Sequence, residues 1–215
     1  MTTSMDRADD FYYNYATFRL NGKYGMINNK CATVIQPMYE YIGDMGDNGL
    51  VAVQLSSSDK YGFCNAKGEY KIRPTYDDAV RLVDNNLIGV EQNEKWGYID
   101  AKGNIKLPIQ YYDVTPFFEG YAWIQATEES PYTLIDTKGK VLLTLGKDDK
   151  PYTGMHNGLA LVSTGDGYKY VDVNGRVAYA WSYAYSNAPE KISAKKHGDN
   201  DMVKRTLHFS SQELY

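Results

Sequence analysis

The sequence is poor in the residues that usually carry cross-links or metal chemistry. It contains 2 cysteines and 3 histidines in 215 residues. Two cysteines are too few for a disulfide framework. The histidines His156, His197 and His208 share no metal-ligand spacing with one another or with the cysteines. We therefore expect no metal site and no cofactor.

The sequence also lacks an excess of positive charge and any long apolar run. It has 23 basic and 27 acidic residues, a net charge of −4, which gives no electrostatic footprint for nucleic acid or an anionic membrane surface. No stretch approaches the roughly 20 apolar residues that span a bilayer. Residues 1–10 hold acidic side chains and no apolar segment, so they do not resemble a secretory signal. These absences favour a cytoplasmic protein that binds neither nucleic acid nor membrane.

Enzymatic motifs are missing as well. There is no Gly-x-Ser-x-Gly nucleophile setting, and the segment Gly165-Asp166-Gly167 lies in a hairpin loop rather than before a helix, which disfavours a phosphate site. A column of acidic residues recurs at intervals of 37, 36 and 36 residues: Glu40, Asp77, Asp113 and Asp149. A carboxylate that recurs once per repeat is typical of support for backbone groups, so an enzyme is the least favoured function.

The sequence is rich in tyrosine and glycine, with 21 and 19 residues, against 7 prolines. This composition favours many short strands and tight turns. Aromatic residues recur at intervals of 37, 35, 36 and 36: Tyr24, Tyr61, Trp96, Tyr132 and Tyr168. Seven residues after each lies a turn position: Cys31, Gly68, Gly103, Gly139 and Gly175. A constant period of this kind indicates a repeat architecture, and we number the copies unit 1 to unit 5.

Each unit contains three alternating segments that predict strands. Strand C ends at Phe18, Val53, Val90, Ile124 and Val162. Strand A follows the repeating aromatic residue, and strand B follows the turn. One face of strand C is expected to be packed, and proline at Pro37, Pro74 and Pro108 is expected to end the ladder after strand B. Crossovers of about ten residues, anchored by Met45, Leu82, Phe118 or Met155, then lead to the next unit.

The turn between strands A and B begins with Asn or Asp and has Gly three residues later, which predicts a type I turn closed by a bulge. Cys31 replaces the glycine in unit 1 and is therefore expected to be left-handed, so Cys31→Gly should be neutral or stabilising. Asn21-Gly22 predicts a primed hairpin turn in unit 1. Cys64 shares a column with Ile27 and Ile99, which indicates a small buried side chain.

These patterns predict an all-β fold, a tandem array of about five three-stranded antiparallel meanders of roughly 36 residues each. We divide the chain into an N-terminal extension (1–13), the array (14–186) and a C-terminal cap or flexible tail (187–215), in which residues 203–209 form a further candidate strand. We expect an open, twisted array; a closed five-bladed ring is the alternative.

The middle of the chain concentrates aromatic residues in a way that departs from the repeat. Trp123 occupies a column that holds Ala52, Gly89 and Leu161 in other units. Exposed aromatic rings are common anchors of protein interfaces, whereas buried rings would only give this unit a bulkier core. The candidate partner-binding residues are Tyr111, Tyr112, Phe117, Phe118, Tyr121 and Trp123.

The chain resembles the bacterial WG-repeat (KWG-repeat) family over residues 14–185. The resemblance is carried by Lys95-Trp96-Gly97-Tyr98-Ile99-Asp100 followed by Gly103, by Pro74-Thr75-Tyr76-Asp77, and by Phe118-Glu119-Gly120-Tyr121-Ala122. It implies a β-repeat architecture and a bacterial source, and it supplies no catalytic residues. Trp is replaced by Tyr in four units, and the Gly after it by Thr133 and Lys169 in the last two.

The function expected from the sequence is that of a non-enzymatic β-repeat protein that binds another macromolecule, foremost another protein, which it would neutralise or scaffold. A carbohydrate-binding or cell-wall-binding module is the alternative, since aromatic rings also stack on sugars. An enzyme of unrecognised type is the third hypothesis.

Overall fold

The structure is a computed structural model that describes residues 6–55, 57–80 and 87–182. The expected cap or tail at 187–215, the candidate strand at 203–209 and the anchor Leu82 lie outside the described residues. Within them the chain forms strands and no helix, which confirms the all-β prediction. No helix in this part of the chain has the length and hydrophobicity needed to cross a membrane.

The strands follow one another in a regular order. Units 1 and 2 contain β1 (Arg7–Ala8), β2 (Tyr15–Leu20), β3 (Lys23–Asn28), β4 (Thr33–Ile42), β5 (Leu50–Leu55), β6 (Tyr61–Asn65) and β7 (Tyr70–Tyr76). Unit 3 contains β8 (Asp78–Ala79), β9 (Ile88–Gln92), β10 (Lys95–Ile99) and β11 (Ile105–Tyr111). Unit 4 contains β12 (Asp113–Val114), β13 (Tyr121–Gln125), β14 (Thr133–Asp136) and β15 (Val141–Thr144). Unit 5 contains β16 (Lys150–Pro151), β17 (Leu159–Thr164), β18 (Gly167–Asp172) and β19 (Val177–Ser182).

Every unit is an antiparallel meander, but with four strands rather than the expected three. A two-residue strand such as β8, β12 or β16 pairs with strand C of the same unit, so the order is short strand, C, A, B. In units 1 and 2 all strands join one seven-stranded sheet, because the long β4 serves both units. Since Arg7–Ala8 pair with β2, the first sheet begins before residue 14. No described strand pairs the first sheet with the last, so the described array is open.

Proline does not end the ladder, and that expectation was wrong. Strands β4, β7 and β11 run through Pro37, Pro74 and Pro108. The ladder absorbs each proline as a bulge: in unit 3, Trp96 pairs with Tyr111 and Tyr98 with Leu107. Three residues of strand B therefore face the single glycine between the two partners of strand A. A bulge leaves residues without a ladder partner, which is where a residue lacking an N–H is tolerated.

The glycine that follows the repeating aromatic residue is required by this bulge. A Cβ placed on Gly25, Gly62 or Gly97 would lie 2.6 to 2.7 Å from backbone atoms of the neighbouring strand B. In units 4 and 5, where Thr133 and Lys169 stand in its place, these residues pair directly with strand B and no bulge forms there. Glycine is therefore present at this position only in units 1 to 3, where the bulge brings the backbone of strand B against it.

The turns between strands A and B match the sequence prediction. In unit 3 the Asp100 carbonyl accepts a hydrogen bond from the N–H of Gly103 at 2.9 Å, and its Oδ1 accepts from the N–H groups of Lys102 and Asn104, each at 2.9 Å. Cys31 is left-handed as expected, with φ of 59°. The Asn21-Gly22 turn is also confirmed, with φ of 52° and 77°.

The acidic column needs one correction. Asp77 donates its N–H to the carbonyl of Glu91, and Glu91 pairs with the next residue, Asp78. In the same way Tyr112 donates its N–H to Gln125, which pairs with Asp113. Asp77 and Tyr112 therefore occupy equivalent positions. Asp113 is therefore the counterpart of Asp78 rather than of Asp77. Asp113 accepts a hydrogen bond from the Tyr132 hydroxyl at 2.6 Å.

The core of the described part of the chain consists of four clusters, each lying between two consecutive units. They join unit 1 to 2, 2 to 3, 3 to 4 and 4 to 5. In units 1 to 4 strand C is buried on both faces, as the fully buried Val51, Ala52 and Val53 of unit 2 show, so the expectation of one packed face was wrong there; in unit 5 Leu161, the counterpart of Ala52, is half-buried. Cys64 is a buried core residue, as expected, and burial raises the pKa of its thiol to about 11.

Candidate functional site

The candidate residues Trp123 and Phe117 are core residues. Both are fully buried, so of the two interpretations of Trp123 that the sequence left open, an exposed anchor or a bulkier core, the structure shows the core. Trp123 projects from strand C towards unit 5 and packs with Leu134, Met155 and Val171. Because strand C is sandwiched between neighbouring units, neither of its faces is available to a partner.

The indole of Trp123 has an unusual polar environment. Its Nε1 is buried and has no hydrogen-bond partner within the described part of the chain. Leaving such a donor unsatisfied costs about 1–3 kcal/mol. Its backbone N–H, in contrast, donates to Thr115 Oγ1 at 3.0 Å. The ring therefore packs between units 4 and 5, and the burial of its unpaired N–H offsets part of the stability that this packing contributes.

The remaining four candidate residues do not form one surface. Tyr111 is half-buried against the cluster between units 3 and 4, and Tyr121 is half-buried against the cluster between units 4 and 5. Tyr112 is 41% exposed. Phe118 lies apart from the three tyrosines, at the boundary with unit 5. The buried anchor of that crossover is Phe117, in the position of Met155 in unit 5, rather than Phe118 as expected.

Phe118 lines an open groove between units 4 and 5. The groove has a volume of about 350 Å³ and is lined by Thr115, Pro116, Phe118, Pro151, Tyr152, Thr153, Gly154 and His156. The rings of Phe118 and His156 are 5.0 Å apart between centroids. We call this feature the interunit groove. It is the candidate functional site.

The two walls of the interunit groove hold each other in place. Phe118 and His156 occupy equivalent positions before two hairpin turns, since each pairs with the residue three positions later. The carboxylate of Glu119 in the first turn accepts hydrogen bonds from the N–H groups of Asn157 and Gly158 in the second, at 2.7 and 3.1 Å. These two N–H groups lower the pKa of Glu119. A charge-assisted link of this kind fixes the spacing of the rings.

The turn residues pay a conformational cost for this link. Glu119 and Asn157 both have φ of 52°, and each is followed by a left-handed glycine. Two successive positive φ values are those of a type I′ turn, which suits Asn-Gly better than Glu-Gly. Glu119 therefore has a strained backbone conformation, and it lies at the position from which its carboxylate reaches unit 5.

The sequence model of the WG containing repeat family matches residues 6–24, 24–57, 61–96 and 96–126. These segments cover more than half of the chain. The chain belongs to the WG containing repeat family. The matched segments meet at Tyr24 and Trp96, the repeating aromatic residues from which units were counted. The same strand order is repeated through units 4 and 5, so the β array continues beyond residue 126, where the matched segments end.

No curated protein matches this WG repeat chain. Among solved structures it is similar to Hsv2p of Kluyveromyces lactis, with 10% identity and a TM-score of 0.57, covering 82% of this chain and 64% of that one. Hsv2 of Kluyveromyces marxianus gives 9% identity and a TM-score of 0.56, covering 82% and 60%. A streptogramin B lyase structure gives 15% identity and a TM-score of 0.51, covering 87% and 71%.

These likenesses concern the fold alone. The similar structures are β-propeller-like, so the WG units are arranged in the manner of propeller blades, as in the closed five-bladed ring considered as the alternative, but without its closure. The chain spans about three fifths of the length of the Hsv2 structures it matches. Its described array remains unclosed.

Aromatic residues continue from the interunit groove onto unit 5. Tyr152 is 64% exposed, and its ring meets that of Tyr168 edge-on at 5.4 Å. Tyr168 in turn lies 5.5 Å from Trp181. Sequence reasoning missed Tyr152 and His156 as site residues. Aligning the hairpin turns of units 4 and 5 would have found His156, because it then falls in the same column as Phe118.

Several polar groups around the interunit groove are engaged in hydrogen bonds within the chain. The hydroxyls of Thr115 and Thr153 accept hydrogen bonds from the N–H groups of Trp123 and Leu161, each at 3.0 Å. Glu119 is engaged by two N–H groups, as described above. Among the described residues no three His, Cys, Asp or Glu side chains are grouped in a way that would hold a metal ion.

Proposed function

We propose that this WG repeat chain is a non-enzymatic module that binds an extended segment of another protein in the interunit groove. The observation that carries this proposal is the groove itself, which places Phe118, Tyr152 and His156 on a rigid frame between two units. Repeat arrays of this kind present long surfaces for binding while each unit contacts only its neighbours.

The lining of the groove suits an extended peptide. It combines three aromatic rings with Pro116 and Pro151. Aromatic-lined grooves accept extended chain segments with little entropic cost, because the rings are stiff and can pack on prolyl or aliphatic side chains. The link from Glu119 to the next turn holds the two walls at a fixed spacing in the absence of ligand, which reduces the cost of binding. Both features support a binding role over a catalytic one.

A capture experiment with matched variants tests this proposal. Tyr152→Ala combined with His156→Ala removes two rings from the groove, whereas Tyr70→Ala removes a 37% exposed ring from unit 2. We expect a stoichiometric protein partner to bind the wild type and Tyr70→Ala and to be lost from the double variant. A partner that binds all three proteins equally would show that the groove is not its site.

A carbohydrate ligand is the second candidate, favoured by the exposure of Tyr152, whose ring could stack on a sugar. Thermal shift measurements against a panel of glycans address it. A glycan that stabilises the wild type and Tyr70→Ala but not Tyr152→Ala would replace the protein partner in the proposal. If no glycan stabilises the wild type, the carbohydrate candidate falls.

A further inference from the structure

Two hairpin turns of the chain contain an Asn-Gly pair in the type I′ conformation. They are Asn21-Gly22 in unit 1, with φ of 52° and 77°, and Asn157-Gly158 in unit 5, with φ of 52° and 76°. Both asparagines are exposed. An asparagine that precedes glycine is prone to lose its side-chain amide spontaneously, because glycine has no side chain to hinder the attack of its own nitrogen. Both turns therefore carry a reactive pair of residues at the surface.

The reaction is an attack by the backbone on a side chain. The glycine nitrogen, once it has lost its proton, bonds to Cγ of the asparagine, and the side-chain NH2 leaves as ammonia. Water then opens the five-membered ring at either of its two carbonyl groups and gives aspartate or isoaspartate. In sum, one water is consumed, one ammonia is released and one carboxylate is gained. Because the glycine nitrogen must be free and deprotonated, the rate depends on what its N–H contacts.

In both turns a carboxylate from elsewhere in the chain holds the glycine N–H. Gly158 donates to Glu119 Oε2 at 3.1 Å across the boundary between units 4 and 5, and Asn157 donates to Oε1 of the same carboxylate at 2.7 Å. Gly22 donates to Asp6 Oδ2 at 3.0 Å. Carboxylates are charged at neutral pH, and hydrogen bonds to a charged acceptor are among the strongest in proteins. The nitrogen that must attack is therefore bound in both turns.

We propose that Asn157 is a deamidation site whose rate is controlled by Glu119 of the preceding unit. The negative charge of Glu119 opposes the loss of a proton from Gly158, because an anion would form beside an anion. The two hydrogen bonds also hold the backbone of the turn, so the nitrogen approaches Cγ only after they break. A carboxylate is too weak a base to remove an amide proton itself, so Glu119 protects the turn and does not activate it.

Deamidation at Asn157 changes a wall of the interunit groove. The product carries a carboxylate beside that of Glu119, and neighbouring like charges repel. The isoaspartate form also adds a backbone atom to a two-residue turn, which the type I′ geometry does not accommodate. Both products weaken the link that fixes the spacing of Phe118 and His156. Glu119 thus preserves the turn to which it binds, and the change is irreversible once it has occurred.

Asn174-Gly175 provides an internal reference within unit 5. Its asparagine is exposed as well, but Gly175 donates its N–H to the main-chain carbonyl of Asp172 at 2.9 Å. Neither Glu119 nor Asp6 takes part in this turn, so substituting them leaves its contacts unchanged. The ratio of the deamidation rate at Asn157 to that at Asn174 therefore separates an effect on one turn from a general loosening of the chain.

Mass spectrometry of peptides from the full chain, aged in mildly alkaline buffer, tests this inference. Deamidation is detected by the mass gained when NH2 is replaced by OH. We expect Glu119→Ala to raise the ratio of the Asn157 rate to the Asn174 rate by about tenfold, the factor by which a hydrogen bond to a charged group typically shifts an equilibrium. Glu119→Gln should raise the ratio less, because an amide oxygen still accepts from the N–H groups.

Asp6→Ala is the matched control. It should raise the rate at Asn21 and leave the ratio of Asn157 to Asn174 at its wild-type value. Circular dichroism shows that the compared proteins keep their fold, and Glu119→Gln decides the outcome if the alanine variant does not fold.

A ratio that stays unchanged in both Glu119 variants, or that falls, would overturn the inference. A ratio that rises equally in Asp6→Ala would overturn it as well. No ligand of the interunit groove enters these measurements, so the proposed function is tested separately.

Discussion

Gly97 lies against Ile109 so closely that a Cβ on the glycine would be 2.6 Å from the Ile109 Cα. The two residues come from different strands and meet because three residues of β11 bulge opposite a single residue of β10. The glycine of the WG motif is therefore required by the close approach of Ile109 across the ladder. Its own φ does not require glycine, because Gly97 is not in the left-handed conformation.

Replacing this glycine should destabilise the protein. Gly97→Ala must move backbone rather than a flexible side chain, which typically costs about 1–3 kcal/mol of unfolding free energy. Thr133→Ala is the matched control, because Thr133 occupies the same position in a unit without the bulge, and its effect should stay within about 1 kcal/mol. Urea denaturation followed by circular dichroism measures both. Equal effects of the two changes would argue against the bulge as the reason for glycine.

The sequence was sufficient to predict strands C, A and B and the turns between A and B. These follow from local chemistry: alternation gives a strand, and an Asn or Asp followed three residues later by Gly gives the turn. The bulge was missed because Gly97 and Pro108 look independent until their register is known. The short strand β12 was missed because two residues are too few to show alternation.

The candidate site was predicted only in part. Phe118 was identified, but Trp123 was misplaced, because alternation along strand C suggested one packed face and gave no sign that the next unit covers the other. The groove depends on contacts between turns 38 and 39 residues apart in sequence, Glu119 to Asn157 and Gly158. Such contacts follow from the way units stack, which the period alone does not specify.

Cys31→Gly should stabilise the protein. Cys31 has φ of 59° at a position that is left-handed glycine in the other four units. A side chain in this conformation costs on the order of 1 kcal/mol, so glycine should recover part of it. Chemical denaturation under reducing conditions measures the gain, and Cys31→Ala serves as control because alanine keeps the strain. A loss of stability in the glycine variant alone would contradict the assignment of strain to this turn.

Asp100 should make the turn of unit 3 sensitive to acid. The side-chain amide and then the N–H of Asn104 lower the pKa of its carboxyl group. Because the folded pKa lies below the unfolded value of about 3.9, the stabilisation is present above that pH and is lost as the pH falls through the folded pKa. The urea midpoint of the wild type should therefore drop between neutral pH and about pH 3.

Asp100→Asn should reduce this drop, since an amide oxygen can still accept from Lys102 and Asn104 but does not titrate. Unit 1 provides the reciprocal control. There Asn28 Oδ1 accepts from the N–H groups of Lys30 and Ala32, each at 3.0 Å, so Asn28→Asp should increase the acid sensitivity. If both variants lose stability with pH in the same way as the wild type, the turn carboxylate does not contribute to the dependence.

Trp123 should behave as a core residue rather than as a binding residue. Trp123→Ala removes a fully buried ring and is expected to cost about 3–5 kcal/mol of unfolding free energy. Trp123→Phe should cost much less, because it keeps an aromatic ring between units 4 and 5 and removes the unpaired Nε1 donor, whose burial costs about 1–3 kcal/mol. Urea denaturation measures both variants, with Tyr112→Ala as a control at an exposed position.

Binding of a partner provides the second readout: Trp123→Phe should bind as the wild type does, because the indole does not reach the surface. A Trp123→Phe protein that is stable but has lost its partner would restore the indole to the binding site and contradict its assignment to the core.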